Sequence, residues 1–137
     1  MLERFQETQR SDLGPLEDSE LDIVVMAGLC NDLGQGVMSH LFDRQLIPQL
    51  MGSTSLKWDY KDASQMMLKY LVDENQIEID SGDLKKVCEL IRGGYDQQNS
   101  LFEPKKAWLF DIVSNKSNAI DADKFDYIQR DFHSLGL

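Results

Sequence analysis

The sequence predicts an all-α fold of about six helices, and three observations predict it. Apolar residues recur at helical spacing in several segments, among them Leu84, Val87, Cys88 and Ile91 at i, i+3, i+4 and i+7. Ser, Asp and Pro stand where helices should start, and Gly stands where they should stop. No segment alternates apolar and polar residues as a half-buried strand does.

Residues 1–18 are polar, are broken by Gly14 and Pro15, and read as a lead-in; residues 19–137 carry the domain. Ser19 with Asp22 resembles a capping box ahead of Leu21, Ile23, Val24, Val25, Met26, Ala27 and Leu29. That run is apolar on nearly every side, so a buried helix is expected over 20–33; a central strand is the rival assignment, and length favours the helix. After Gly34 and Gly36, Ser39 is expected to cap a short helix through His40, Phe42, Leu46 and Ile47 until Pro48 disturbs it. Residues 51–58 read as loop. Asp59 then caps a helix over 60–73 bearing Ala63, Met66, Met67, Tyr70 and Leu71, with both methionines assigned to the core. Ser81 opens the next helix, which Gly93-Gly94 stops. Pro104 suits the start of a helix over 105–114, whose Trp108-Leu109-Phe110 run reads as core. Asp121 caps 122–135, where Phe125, Ile128, Phe132 and Leu135 form one stripe, Asp123, Tyr127, Arg130 and Asp131 the other side, and Gly136 the end.

Composition narrows the function. A chain of 137 residues has room for one compact domain, and 42% hydrophobic content is enough to fold it. Lys plus Arg is 14 and Asp plus Glu is 24, so the net charge of −10 disfavours a nucleic-acid backbone as partner. A few local cations still allow a small anionic ligand. Two cysteines, Cys30 and Cys88, are too few for a disulfide scaffold; both lie in apolar helical contexts and are expected to be buried and inert. No apolar run approaches the roughly 20 residues of a membrane span. The expectation is a soluble intracellular protein, nuclear or cytoplasmic.

The informative stretch is Ala27-Gly28-Leu29-Cys30-Asn31-Asp32-Leu33-Gly34-Gln35-Gly36-Val37-Met38-Ser39-His40-Leu41-Phe42-Asp43. A second runs from Ile112 to Tyr127 through Ser114-Asn115-Lys116-Ser117-Asn118-Ala119-Ile120-Asp121-Ala122-Asp123-Lys124-Phe125-Asp126. Together these closely resemble the HD-domain phosphohydrolases, and within them the dNTP triphosphohydrolase branch typified by the sterile-alpha-motif and HD-domain protein. The resemblance covers about residues 20–137, including Lys57-Trp58 and the closing segment from Asp131 to Leu137. It implies an HD-like helical bundle, here a partial catalytic core, with further helices before and after it in the family. It also implies cleavage of a dNTP to deoxynucleoside and triphosphate with a divalent metal (Fe, Zn, Mn or Mg). On this resemblance the HD dipeptide falls on Asn31-Asp32 and the distant metal-binding aspartate on Asp123. A family histidine falls on Gln35, and a phosphate-contacting one on His40. Asp43 takes the place of the carboxylate that orients a catalytic histidine, which itself falls near Tyr60. Substrate-contacting residues fall on Lys124, Tyr127 and Asp131, and a further histidine ligand belongs upstream, where residues 1–19 hold none.

These departures set the functional expectation. An imidazole offers a metal an in-plane lone pair, whereas Asn31 offers only a neutral carbonyl oxygen. Asp32 and Asp123 survive as carboxylate ligands, enough for weak Mg²⁺ binding at most. Gln35 does not titrate, and a tyrosine titrates near 10 rather than near 6.5, so Gln35 and Tyr60 remove proton carriers. A catalytically impaired pseudo-enzyme that keeps a nucleotide- or partner-binding surface is therefore expected, with metal held weakly or not at all. The competing readings are an active dNTP triphosphohydrolase and an assembly module that self-associates or joins a related HD-domain subunit. Plainer roles compete residue by residue. Asp32 also suits a turn carboxylate, His40 a packed histidine, Asp43 a local helical pair with Lys or Arg, and Lys124, Tyr127 and Arg130 a solvated face.

Overall fold

Asp59, Asp80 and Asp121 each stand in extended backbone one residue before a helix and accept that helix's first orphan N–H groups. These caps mark out the chain in a computed structural model that describes residues 15–52 and 58–137. Most of the expected lead-in, and Lys57 of the resemblance, lie outside the described residues. Among those described there are α-helices and short helical turns but no strand.

The helices are α1 (Asp18–Cys30), α2 (Ile47–Met51), α3 (Tyr60–Glu74), α4 (Ser81–Arg92), α5 (Trp108–Val113) and α6 (Ala122–Leu135). A π-helical turn, Phe42–Leu46, precedes α2, and a 3₁₀ turn, Pro104–Lys106, precedes α5. Two compact units divide them. One comprises residues up to 29 with 80–137, and the other comprises 30–79.

In the first unit the core is built from Ile23, Val24 and Ala27 of α1, Val87, Cys88, Leu90 and Ile91 of α4, and Leu109, Phe110 and Val113 of α5. The Phe110 ring meets Tyr95 and Phe102 edge-on, at centroid separations of 5.6 and 5.5 Å. Glu20 is buried at the start of α1, where one carboxylate oxygen accepts Lys106 Nζ at 2.5 Å and the other the Glu17 N–H at 3.0 Å. A carboxylate can be buried there because both oxygens are paired.

Several expectations need correction here. The first helix begins at Asp18, not behind a Ser19 cap, and ends at Cys30, after which 31–34 is turn. It is buried on one side only, since Val25 and Leu29 are exposed, and Cys30 is half-buried. Ser81 opens α4 as expected, and the cap ahead of it is Asp80, whose Oδ2 accepts the Gly82 and Asp83 N–H groups at 2.6 and 3.3 Å. The 105–114 segment starts with the 3₁₀ turn and becomes α-helical only at Trp108, which is half-buried, while Leu109 and Phe110 are core. On α6 no residue is buried, so its apolar stripe of Phe125, Ile128, Phe132 and Leu135 faces outward.

In the second unit Ala63, Ser64, Gln65, Leu68 and Val72 form the buried side of α3. Met66 and Met67 are exposed, at 63% and 46%, so they are not core. Ser39 precedes the helical segment but does not cap it with its side chain: its φ of 43° is left-handed, its carbonyl accepts the Asp43 N–H, and its own N–H donates to the Gly36 carbonyl. Pro48 disturbs the segment, as expected, without ending it. A proline lacks the N–H that would reach back one turn and crowds the carbonyl there, and the wider π-helical turn immediately before α2 takes up that mismatch. No helix among the described residues is long and apolar enough to cross a membrane.

Burial predicts opposite outcomes for two leucines. Leu90→Ala, at a fully buried position, should cost about 2–5 kcal/mol in denaturant unfolding. Leu29→Ala, at a position 79% exposed, should stay within about 0.5 kcal/mol of the parent.

Candidate functional site

In the 30–79 unit the 31–36 turn is laid against the first turn of α3 through polar groups. Asn31 is buried, and its carbonyl accepts Ser64 Oγ at 2.9 Å. The same hydroxyl accepts the Gly34 N–H at 2.9 Å, so one fully buried serine joins both ends of the turn to α3. The approach is too close for any side chain at position 34. A Cβ there would lie 2.4 Å from both Ser64 N and Tyr60 O. Gly36 is restricted in the same way, because a Cβ would enter the Phe42 ring.

The side chains of the turn bond to one another and to α3. Lys61 Nζ donates to Asn31 Oδ1 at 2.6 Å. Asn31 Nδ2 and Gln35 Nε2 both donate to Asp32 Oδ1, at 3.3 and 3.1 Å. Lys61 is placed by the Asp59 cap, which accepts its backbone N–H at 2.8 Å, and its ammonium lies 5.3 Å from the Tyr60 ring centroid. Cys30 adjoins this set, and burial pushes its thiol pKa up, which favours the unreactive protonated form.

Among the described residues Asp43 pairs with neither Lys nor Arg. Its Oδ1 accepts the Trp58 indole N–H at 2.8 Å, and the Trp58 ring meets Phe42 edge-on at 6.0 Å. Asp43 Oδ2 is buried without a hydrogen-bond partner among the described residues. His40 is exposed rather than packed, and follows Met38 and Ser39, both with positive φ.

In the other unit Asp121 Oδ1 accepts the Lys124 N–H at 3.1 Å, and its Oδ2 accepts the Asn115 N–H at 3.3 Å, fixing the start of α6. Asp123 and Lys124 are half-buried in the first turn, while Tyr127 and Asp131 follow at four-residue steps and are exposed. Arg130 forms an exposed ion pair with Asp126 one turn earlier. Asp32 belongs to one unit and Asp123 to the other.

Comparison with known proteins now bears on these residues. Human deoxynucleoside triphosphate triphosphohydrolase SAMHD1 is 39% identical over 139 residues, a stretch covering 89% of this chain and 22% of that protein. A SAMHD1 homolog from Dictyostelium discoideum is 39% identical over 123 residues, 88% of this chain and 22% of its own length. HD domain-containing protein L394 of Acanthamoeba polyphaga mimivirus is 27% identical over 122 residues, 89% of this chain and 24% of its own.

The chain belongs to the dNTP triphosphohydrolase branch of the HD-domain family.

It spans less than a quarter of the length of these curated relatives, and no protein-family model matches it. The divalent ion that HD resemblance implies does not fit the donors present. Asn31 Oδ1 is bonded to an ammonium, Asp32 Oδ1 is bonded to two amides, and no group of three or more His, Cys, Asp or Glu among the described residues is arranged to hold a metal. Sequence reasoning missed Lys61, Ser64 and the role of Trp58. Of these, Lys61 had a local signal, because it stands two residues after a strong N-cap.

The turn's attachment is testable. Ser64→Ala leaves the Gly34 N–H and the Asn31 carbonyl without their shared partner, and should cost about 1–3 kcal/mol in chemical unfolding. Gly34→Ala should cost more than Ser64→Ala, because its Cβ meets backbone that cannot yield.

Proposed function

We propose that this chain is a catalytically impaired HD-domain relative of the dNTP triphosphohydrolases that keeps a surface for a deoxynucleoside triphosphate. The observation that carries this reading is the Asn31–Lys61 hydrogen bond at the position where the HD histidine is expected. An amide oxygen held by an ammonium neither activates water nor accepts a proton near neutral pH. Gln35 beside Asp32 has no titrating group, and Tyr60 replaces an imidazole with a phenol. The chain's two histidines, His40 and His133, are both exposed.

Attack by water on a phosphate ester needs a base or a metal to raise the water's nucleophilicity, and a positioned base alone contributes about 10²–10⁴ in rate. Loss of several such groups does not simply add, because they act as one unit. What favours retained binding is the other half of the resemblance. On α6, Lys124 offers a donor to phosphate oxygens, and Tyr127 and Asp131, one turn apart, offer hydrogen-bonding groups to a sugar hydroxyl; His40, in the 30–79 unit, is a phosphate donor on the resemblance alone. Such a protein would work inside the cell, where dNTPs are found. A second reading, an assembly module pairing with itself or with a related HD-domain subunit, is favoured by the exposed Phe125, Ile128, Phe132 and Leu135 on α6.

Three measurements separate these readings. Incubation with each dNTP and Mg²⁺, Mn²⁺ or Fe²⁺ should release no tripolyphosphate at enzymatic rates; release would restore the active-enzyme reading. A dNTP at 100 times its Kd should raise stability by about 2.7 kcal/mol, read as a higher melting temperature. Flat melting curves at millimolar nucleotide, together with a concentration-dependent dimer in light scattering, would favour the assembly module instead.

A further inference from the structure

The family's metal and this chain's donor set disagree, and the disagreement has a definite chemical form. Asn31 is buried, and its carboxamide oxygen must be satisfied; the group that satisfies it is a cation, Lys61 Nζ at 2.6 Å. The carboxamide's other end turns to Asp32, whose Oδ1 also takes the Gln35 amide. Lys61 reaches Asn31 across thirty residues of sequence because the Asp59 cap and the Ser64 hydroxyl fix the start of α3 against the 31–34 turn.

We infer that Lys61 is the resident cation of the altered HD position: its ammonium takes the Asn31 oxygen in place of a divalent metal and pins the turn to α3. The inference rests on the family reading of Asn31-Asp32, but it concerns this unit's own chemistry and needs no nucleotide. A divalent ion reaching the same oxygen would have to displace the ammonium or sit beside it, and like charge opposes that. The replacement is a point charge with three donors, able to satisfy a carbonyl and a carboxylate but unable to polarise a water to hydroxide. It also carries one positive charge rather than two, and does not leave on chelation.

The full chain, with no nucleotide added, allows the test. Reductive methylation with formaldehyde and a borohydride donor, read by peptide mass spectrometry, compares Lys61 with the exposed Lys69 and Lys105. Lys61 should react about tenfold more slowly, as expected for an ammonium held by a charge-assisted hydrogen bond. Asn31→Ala should speed it several-fold toward the rate of Lys69, whereas Asn31→Asp, which keeps the acceptor oxygen, should leave it slow. Millimolar Mn²⁺ or Zn²⁺ should change none of these rates, and dialysis against Mn²⁺ should leave no stoichiometric metal on the protein. Lys61 reacting as fast as Lys69 in the parent, a metal that speeds its reaction, or one bound Mn²⁺ per chain would each overturn the inference. If Asn31→Ala unfolds, all lysines accelerate together, and the parent and Asn31→Asp arms still decide. Failure of nucleotide binding would leave this result standing, and a reactive Lys61 would leave nucleotide binding untouched.

Discussion

Much of the 30–79 unit depends on one hydroxyl. Ser64 donates to the Asn31 carbonyl and accepts the Gly34 N–H, so a turn with no regular hydrogen-bond ladder is anchored to a helix that has one. Buried backbone groups outside helices and sheets must find partners, and each one left unmet costs about 1–3 kcal/mol. The anchor in turn requires glycine at 34, because the helix backbone passes where a side chain would begin. With the turn seated, Asn31, Asp32 and Gln35 fall within hydrogen-bonding reach of one another, and Asn31 within reach of Lys61. The chemistry of the position is thus set by backbone packing first and by side-chain identity second.

Side-chain identity then decides what the position can do. Two unit charges about 4 Å apart repel by ~4 kcal/mol at an effective dielectric of ~20, and a divalent ion beside an ammonium doubles that. Imidazole avoids the problem by being neutral when it binds metal. An amide paired with lysine creates it. The changes at 31 and 35 and the lysine at 61 are therefore mutually consistent: the amides need donors and acceptors, and Lys61 and Asp32 supply them.

The helix limits were legible where their cause is local. Asp59 and Asp121 act on N–H groups two or three residues away, and Gly93 and Gly136 follow the last turns of α4 and α6 as their sequence positions suggest. Errors arose where the cause is distant. Helical spacing reveals that Met66 and Met67 share the helix with Ala63 and Leu68, but not which side is covered. Spacing likewise put Phe125, Ile128, Phe132 and Leu135 on one stripe without saying whether anything packs on it. Pro48 argues for a helix end when only hydrogen bonds of α type are considered, and a π-helical turn provides the other solution. At the site, the motif located Asn31 and Asp43, whereas Asn31's partners Lys61 and Ser64 come from α3 and Asp43's partner Trp58 from the segment just before it. No periodicity links residues thirty apart.

The charge of the molecule sharpens what binding would require. With a net charge of −10, the mean field repels a triphosphate, so any attraction must come from particular cations. On α6 the guanidinium of Arg130 is engaged by Asp126 in an exposed pair, worth only about 0.3–0.5 kcal/mol in itself but enough to cancel its field at a distance. Lys124 differs. It is half-buried in the first turn, where the positive end of the helix dipole adds to its charge, although Asp123 beside it works the other way. Partial burial also reduces screening by salt, which would otherwise weaken any pairing over more than about 8–10 Å. In the proposed binding role, Lys124 is therefore the side chain of α6 on which phosphate affinity turns, while Arg130 serves the helix that carries it.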